Sequence, residues 1–171
     1  MEPPNWENVV DDFYAPVYRF GLALTRNEAD AADLTQQAFY LLAAKGHQLR
    51  DAGKIKAWLF TSLYREFLGQ KRRESRFIDI EDPAESSTAQ TALATDVIVK
   101  LDGAIAHKAL LSLNENHRAP LALFYLQQHS YTEIAEILNI PVGTVMSRIS
   151  RGKLKLRKLL ASRIDEGSVT D

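Results

Sequence analysis

The stretch from Ser130 to Leu160, SYTEIAEILNIPVGTVMSRISRGKLKLRKLL, constrains this chain more than any other. It reads as two helices joined by a tight turn. Thr132 can cap the first helix through its hydroxyl, and Ile134, Ala135, Ile137 and Leu138 supply its apolar face. Asn139 stands where the chain must turn sharply, and Asn tolerates a left-handed backbone. Pro141 cannot extend the first helix but suits the first turn of the next. There Val145, Ile149, Leu156 and Leu160 face inward, while Thr144, Ser147, Arg148, Arg151, Lys155 and Lys158 fall on the other face. Small Ala135 suits a close helix crossing, and Gly152 leaves room beside Arg151. This is the helix-turn-helix pattern, whose second helix can enter the DNA major groove. From Met146 to Arg163 there are seven cations and no Asp or Glu. A merely solvated basic helix would need neither the preceding helix nor the Asn-x-Pro turn.

The remainder of the chain is helical in pattern, so the expected fold class is all-α. Asn5 caps a first helix to about Arg26, its stripe formed by Trp6, Val9, Val10, Phe13, Val17, Phe20 and Leu24. Pro16 is expected to kink or split it. Asn27 caps a second helix, with Glu28 and Asp30 in its first turn and Leu34, Ala38, Leu41 and Leu42 inside. Its outer side carries Asp33, Gln36, Gln37 and Tyr40. A polar loop runs from Gly46 to Gly53. A third helix over about residues 54–73 has Ile55, Trp58, Leu59, Leu63 and Phe67 at core spacing, Gly69 inside it, and a basic C-terminal half.

From about Phe77 the periodicity fades into an acidic, small-residue linker. Residues 77–100 contain one Lys and five Asp or Glu, whereas the segments before and after are net positive. The predicted organisation is a domain over 1–76, a flexible linker over 77–99, a domain over 100–165 and a tail over 166–171. In the second domain one helix covers about 96–113. Another follows Asn114 as cap from Glu115 to Gln127, with a local distortion expected at Pro120.

Catalytic chemistry finds no support. There is no phosphate-cradling Gly loop or nucleophile motif. His47, His107, His117 and His129 lack metal-ligand spacing and read as surface or helix-end residues. No enzyme activity, metal or cofactor is expected. Cysteine is absent, which excludes disulfides. The longest apolar runs fall short of a membrane span, so no membrane insertion is expected and the cytoplasm is the expected compartment.

The segment Asp30-Ala-Ala-Asp-Leu-Thr-Gln-Gln-Ala-Phe39, followed by Ala57-Trp58-Leu59, resembles region two of bacterial sigma factors. Tyr131-Thr-Glu-Ile-Ala135, Ile140-Pro-Val-Gly-Thr-Val145 and Ser147-Arg148 resemble region four. Two helical domains with only a short linker match the extracytoplasmic-function (ECF) subgroup. The resemblance covers about residues 7–76 and 100–161. It implies a transcription initiation factor that binds core RNA polymerase and promoter DNA, commonly held inactive by an anti-sigma protein.

The resemblance also assigns roles. The helix bearing Asp33, Gln36 and Gln37 would dock on the clamp helices of the largest polymerase subunit. Arg65, Arg72, Arg73 and Arg76 would track the melted downstream element, and the loop holding His47 would capture a flipped base. Met146, Ser147, Ser150 and Arg151 would approach bases of the upstream element. Arg148, Lys153 and Lys155 would hold phosphates, and Thr144 would meet one at the helix start. The chain departs from the family at Ala32 and Gln37, where acids are frequent, and at Arg65 and Gly69, where Asn and Asp are common. The competing reading is a stand-alone helix-turn-helix regulator whose N-terminal domain senses a ligand or dimerises; the basic end of the third helix has no evident use there.

Overall fold

The computed structural model describes residues 5–77 and 103–167. Seven α-helices make up these residues, with no strand among them: α1 Trp6–Thr25, α2 Glu28–Lys45, α3 Ile55–Phe77, α4 Gly103–Ser112, α5 Glu115–Leu121, α6 Tyr131–Leu138 and α7 Val142–Gly167. The expected linker and tail lie largely outside the described residues.

Local chemistry accounts for most helix ends. Asn5, Asn27 and Asn114 each accept a backbone N–H through the side-chain oxygen at the start of α1, α2 and α5. Arg26, with φ 56°, ends α1 in the left-handed region. Pro16 does not split α1, which runs unbroken from Trp6 to Thr25. The loop before α3 contains two 3-10 turns, Gly46–Gln48 and Ala52–Lys54. Gly46 packs closely there, since a Cβ would lie 2.9 Å from the tip of the Trp6 ring. The distortion expected near Pro120 appears just after it: α5 passes into a π segment, Ala122–Leu126, capped by Gln127 and followed by Gln128 with φ 55°. Pro120 has no N–H for the helical ladder, and a π segment admits an extra residue without ending the helix.

The α1–α3 group buries Val17, Phe20, Leu24, Leu34, Ala38, Leu42, Leu59, Phe60 and Leu63. The α4–α7 group buries Leu113, Ala119, Leu121, Leu123, Ile134, Ile137, Val145, Ile149, Leu156 and Leu160. Together they form one apolar cluster. Thr35 is also buried, its hydroxyl donating to Ala31 O at 2.7 Å. Trp58 departs from the core expectation and is only half-buried.

The two helical groups pack directly on each other. α3 lies against α6, and α1 against α5 and the π segment. Arg118, only 3% exposed, reaches from α5 to the end of α1. Its Nη2 donates to Leu24 O at 3.1 Å, its Nε to Ala23 O and its Nη1 to Leu113 O. Lys56 Nζ donates to Gln127 O at 3.2 Å, and Lys71 pairs with Glu115. The His129 ring stands edge-on to Phe60, centroids 4.7 Å apart. His117 and His129 are thus buried, contrary to the surface expectation. Their packing partners are far away in sequence, where a local pattern cannot report them.

Two glycines have opposite meanings. A Cβ at Gly69 would meet nothing nearer than an Arg73 nitrogen at 4.0 Å, so its space is open. A Cβ at Gly152 would lie 2.7 Å from Leu121 Cδ1 and 3.2 Å from His117 Cβ, where α5 crosses α7. Gly152 therefore permits a helix crossing and does not clear a path beside Arg151. Gly69→Ala is expected to stabilise the fold by about 0.5–1 kcal/mol, whereas Gly152→Ala is expected to cost about 1–3 kcal/mol. Thermal melts of the two variants read the opposite signs directly.

The buried histidines set a pH dependence. Burial, then Lys56, holds His129 below the usual imidazole value; Glu133, its Oε2 3.5 Å from Nδ1, opposes both. Burial holds His117 down likewise, followed by Lys155, Arg148 and Arg151. The unfolded chain therefore binds these protons at higher pH than the folded chain. Their contribution is fully present above the unfolded value of about 6.5 and is lost as pH falls below it. Glu133, held below the usual carboxylate value chiefly by the Ser130 backbone N–H, loses its contribution only at more acid pH. The contact of His129 Nδ1 with Glu133 Oε2 is long, at 3.5 Å, and Nε2 has no partner, so His129→Phe forfeits little hydrogen bonding. Wild type should melt at lower temperature at pH 5.5 than at pH 7.5, and His129→Phe should show a smaller drop. Equal drops would remove His129 from the responsible groups.

Candidate nucleic-acid interface

The helix-turn-helix is built from short-range bonds. Ser130 caps α6, not Thr132: Glu133 N–H donates to Ser130 Oγ at 3.2 Å, and Ser130 N–H donates to Glu133 Oε2 at 2.7 Å. This reciprocal capping box satisfies two end donors at once, and it leaves Thr132 exposed on the first turn. Asn139, with φ 53° and ψ 51°, makes the left-handed turn. Ile140 N–H then returns to Ala135 O at 3.1 Å, closing the helix end. Pro141 precedes α7 as its cap and does not enter the first turn; its carbonyl accepts from Thr144 and Val145 at 3.0 and 3.1 Å. Val145, Ile149, Leu156 and Leu160 are buried as their spacing requires.

The opposite face of α7 is open. Met146, Ser147, Ser150 and Arg151 are exposed, while Thr144, Arg148, Lys153 and Lys155 are half-buried. Three of the cations, Lys155, Arg148 and Arg151, each depress the His117 imidazole, so their fields converge on this end of the domain. Lys153 differs. Its ammonium sits over Phe124 and Tyr125, 5.3 and 5.6 Å from the ring centroids. A phosphate would have to compete with two aromatic faces for it. This second use of Lys153 is absent from the sequence pattern, because the rings belong to the π segment.

On α3, Arg65, Arg72, Arg73 and Arg76 are all exposed. Arg65, Arg72 and Arg76 are spaced by seven and four residues and share one stripe. His47 is exposed on the first 3-10 turn, before α3 begins. At about 1.5 Å per residue, Arg72–Arg76 lie roughly 25–32 Å along the helix from its start. The structure thus groups the arginines and sets His47 at the other end. Tyr64, half-buried on α3, feels both Glu115 and Arg148 of the C-terminal group. Burial is the first cause of its raised pKa, with Glu115 adding to it and Arg148 opposing.

A third surface lies on α2. Asp33, Gln36 and Gln37 are exposed, and Tyr40, at 67% exposure, continues the same stripe. Ala31, Leu34, Thr35, Ala38 and Leu42 turn the other way into the core. Among the described residues, no group of His, Cys, Asp or Glu could hold a metal ion, and no helix is long and apolar enough to cross a membrane.

Comparison with known proteins identifies the two regions that carry these helices. A family model described as Sigma-70 region 2 matches residues 9–77, and one described as Sigma-70, region 4 matches residues 104–156. ECF RNA polymerase sigma factor SigL of Mycobacterium tuberculosis is 32% identical over 154 residues, covering 88% of this chain and 85% of SigL. SigE of Mycolicibacterium smegmatis is 31% identical over 95% of this chain, which spans 64% of that relative's length. Among solved structures, the sigma factor RpoE of Bartonella quintana, in complex with the anti-sigma factor NepR, superposes with a TM-score of 0.74 at 27% identity, covering 93% of this chain and 98% of that one. The two regions occur in the expected order, on the helices that carry the polar stripe, the arginine stripe and the helix-turn-helix, and the chain belongs to the ECF family of RNA polymerase sigma factors.

Proposed function

We propose that this chain is a promoter-specific transcription initiation factor, which binds core RNA polymerase in the cytoplasm, directs it to promoter DNA and is controlled by an anti-sigma protein. Residues 1–76 serve as the module for polymerase and the downstream element, 77–99 as the connector, and 100–165 as the module for the upstream element. The observation that carries this reading is the coexistence, in one chain of this family, of three separate exposed faces: the α2 stripe, the α3 arginines and the open side of α7.

Each face suits its role physically. The α2 stripe of Asp33, Gln36 and Gln37 is polar, as befits a partner that must be exchanged. Its occupant is the clamp-helix pair of the largest polymerase subunit. The α3 arginines form a cationic track for a single-stranded backbone, with His47 placed to meet a base at the far end. On α7, Arg151 has the reach and donors to fork onto a guanine, and Met146 offers apolar contact to a thymine methyl. Thr144, Arg148 and Lys155 hold phosphates. Neutralisation of DNA by so few cations gives weak binding by either module alone. Tight promoter binding therefore requires polymerase to join the two, an effective-concentration effect. The anti-sigma partner is supported by the NepR complex of the Bartonella relative.

In vitro transcription with core polymerase and a promoter library tests the reading. Specific transcripts should appear only when both polymerase and this chain are present. Equal duplex affinity with and without polymerase would favour a stand-alone regulator. Asp33→Arg, on an exposed position, should weaken capture of core polymerase without changing helicity; unaltered capture in a pull-down would remove α2 from the docking surface.

The bases and the phosphates can be separated on α7. Arg151→Ala is expected to cost about 1–3 kcal/mol and relax preference at one position of the upstream element. Lys155→Ala is expected to weaken all promoters alike and shallow the salt dependence by about one unit of slope. Selection from randomised upstream elements, with each variant in holoenzyme, distinguishes the two. An unchanged sequence preference for Arg151→Ala would reduce Arg151 to a phosphate contact.

A further inference from the structure

We propose that Lys153 is a positioning residue of the upstream-element reader: its ammonium, held over Phe124 and Tyr125, braces α7 against the π segment that leads into α6, and it takes no phosphate. That α7 reads the upstream element rests on the initiation-factor reading. The place of Lys153 on the helix sets it apart from the other cations. Arg148, Arg151 and Lys155 follow one another at three and four residues and share one side of α7. The fields of all three fall on His117 of α5. Lys153 stands two residues from both Arg151 and Lys155, about 200° round the helix. It is half-buried there, with Nζ 5.3 Å from the Phe124 ring centroid and 5.6 Å from that of Tyr125.

The rings carry the contact on to a third element. Phe124 stands edge-on to Tyr125, centroids 5.0 Å apart and planes at 90°. It also stacks on Tyr131, centroids 5.3 Å apart and planes at 30°. Tyr131 is the first residue of α6. One cation thus joins α7, the π segment and the start of the helix-turn-helix. The neighbouring Gly152 seats the same turn of α7 on Leu121 and His117 of α5. Leu123 anchors the π segment in the core, whereas Phe124 and Tyr125 are only half-buried at its edge, where the ammonium covers their faces. π helices are rare and short, and this one is followed within a few residues by Ser130, the cap of α6.

A brace of this chemistry does what apolar packing cannot. Apolar burial is non-directional, whereas a cation is drawn to the face of a ring and holds its side chain there. Met146 lies seven residues before Lys153, on the same side of α7. Base-edge contacts need the reading helix held to within about 0.5 Å. Loosening this edge of α7 therefore blurs which base edges Met146 and Arg151 meet. To bind a phosphate, the ammonium would have to leave both rings and uncover them. The charge of Lys153 is used inside the domain, so it acts on sequence preference and not on counterion release.

Two substitutions separate the brace from a phosphate contact. Lys153→Met keeps the apolar stem and removes the charge, and Phe124→Leu keeps apolar volume and removes a ring. Each is read in holoenzyme with core polymerase, by promoter affinity across salt and by selection from randomised upstream elements, with circular dichroism checking retained helix. Lys153→Met should weaken the preferred promoter roughly two- to fivefold, relax the selected sequence and keep the wild-type salt slope. Lys155→Met should instead shallow the slope by about one unit with its preference intact. Lys153→Arg, which returns a cation to the rings, should restore the preference. Phe124→Leu should relax it too, with a slope equal to wild type or steeper, because the ammonium is freed for the DNA backbone. Adding Lys153→Met to Phe124→Leu should change the preference little further. In the free chain, proton NMR should find the Lys153 ε-methylene upfield of the other lysines, shielded by the ring faces, and Phe124→Leu should reduce that shift. A slope shallowed by about one unit in Lys153→Met would make Lys153 a phosphate contact and overturn the proposal. An unchanged selected sequence in Lys153→Met, fully additive losses in the double variant, or an unshifted ε-methylene would overturn it as well. Absence of promoter selectivity in the wild-type holoenzyme would overturn the initiation-factor reading, while the NMR shift would still report the brace.

Discussion

A single buried guanidinium ties the two halves of this sigma factor together. Arg118 sits on a helix of only seven residues, which also contains Pro120 and passes directly into the π segment. That same short stretch ends in the left-handed Gln128, sets His129 against Phe60 and delivers Ser130 to cap α6. The segment that forms the interface with the N-terminal group is therefore also the segment that launches the helix-turn-helix. Apolar burial supplies most of the stability of such a core, but it is non-directional. The two bonds of Arg118 to the carbonyls of Ala23 and Leu24 select one relative orientation of the groups.

Features governed by near neighbours were legible in the sequence, and features governed by distant ones were not. The caps Asn5, Asn27 and Asn114, the turn at Asn139 and the α7 stripe all depend on residues within a few positions. Ser130 was equally local, because Ser130-x-x-Glu133 is a capping-box signature; Thr132, two residues on, was simply the wrong choice between two nearby hydroxyls. By contrast, Arg118 finds its acceptors 94 and 95 residues away. A lone cation directly before the apolar run Ala119–Leu126 was the available hint. His117, His129 and Lys153 likewise owe their surroundings to tertiary packing, and the Gly152 crossing could not be told from open space by spacing alone.

The basic character of α7 divides into distinct physical roles. Arg151 and Met146 are free at the surface. Arg148 feels Tyr64 of the other group. Lys153 is already engaged by two aromatic rings. A count of positive charge along the helix would treat these alike, yet only some are free for a phosphate or a base edge without first giving something up. The arginines of α3 are less encumbered, all four being exposed.

The absence of a side chain at Gly152 also bears on how this protein could diversify. With α7 seated against Leu121 and His117 at that point, the helix can neither roll nor slide without reopening the crossing. Its inclination to the rest of the domain is in effect a constant of the fold. The outward residues Met146, Ser147, Ser150 and Arg151 are exposed, so each can be exchanged while the frame that presents them stays still.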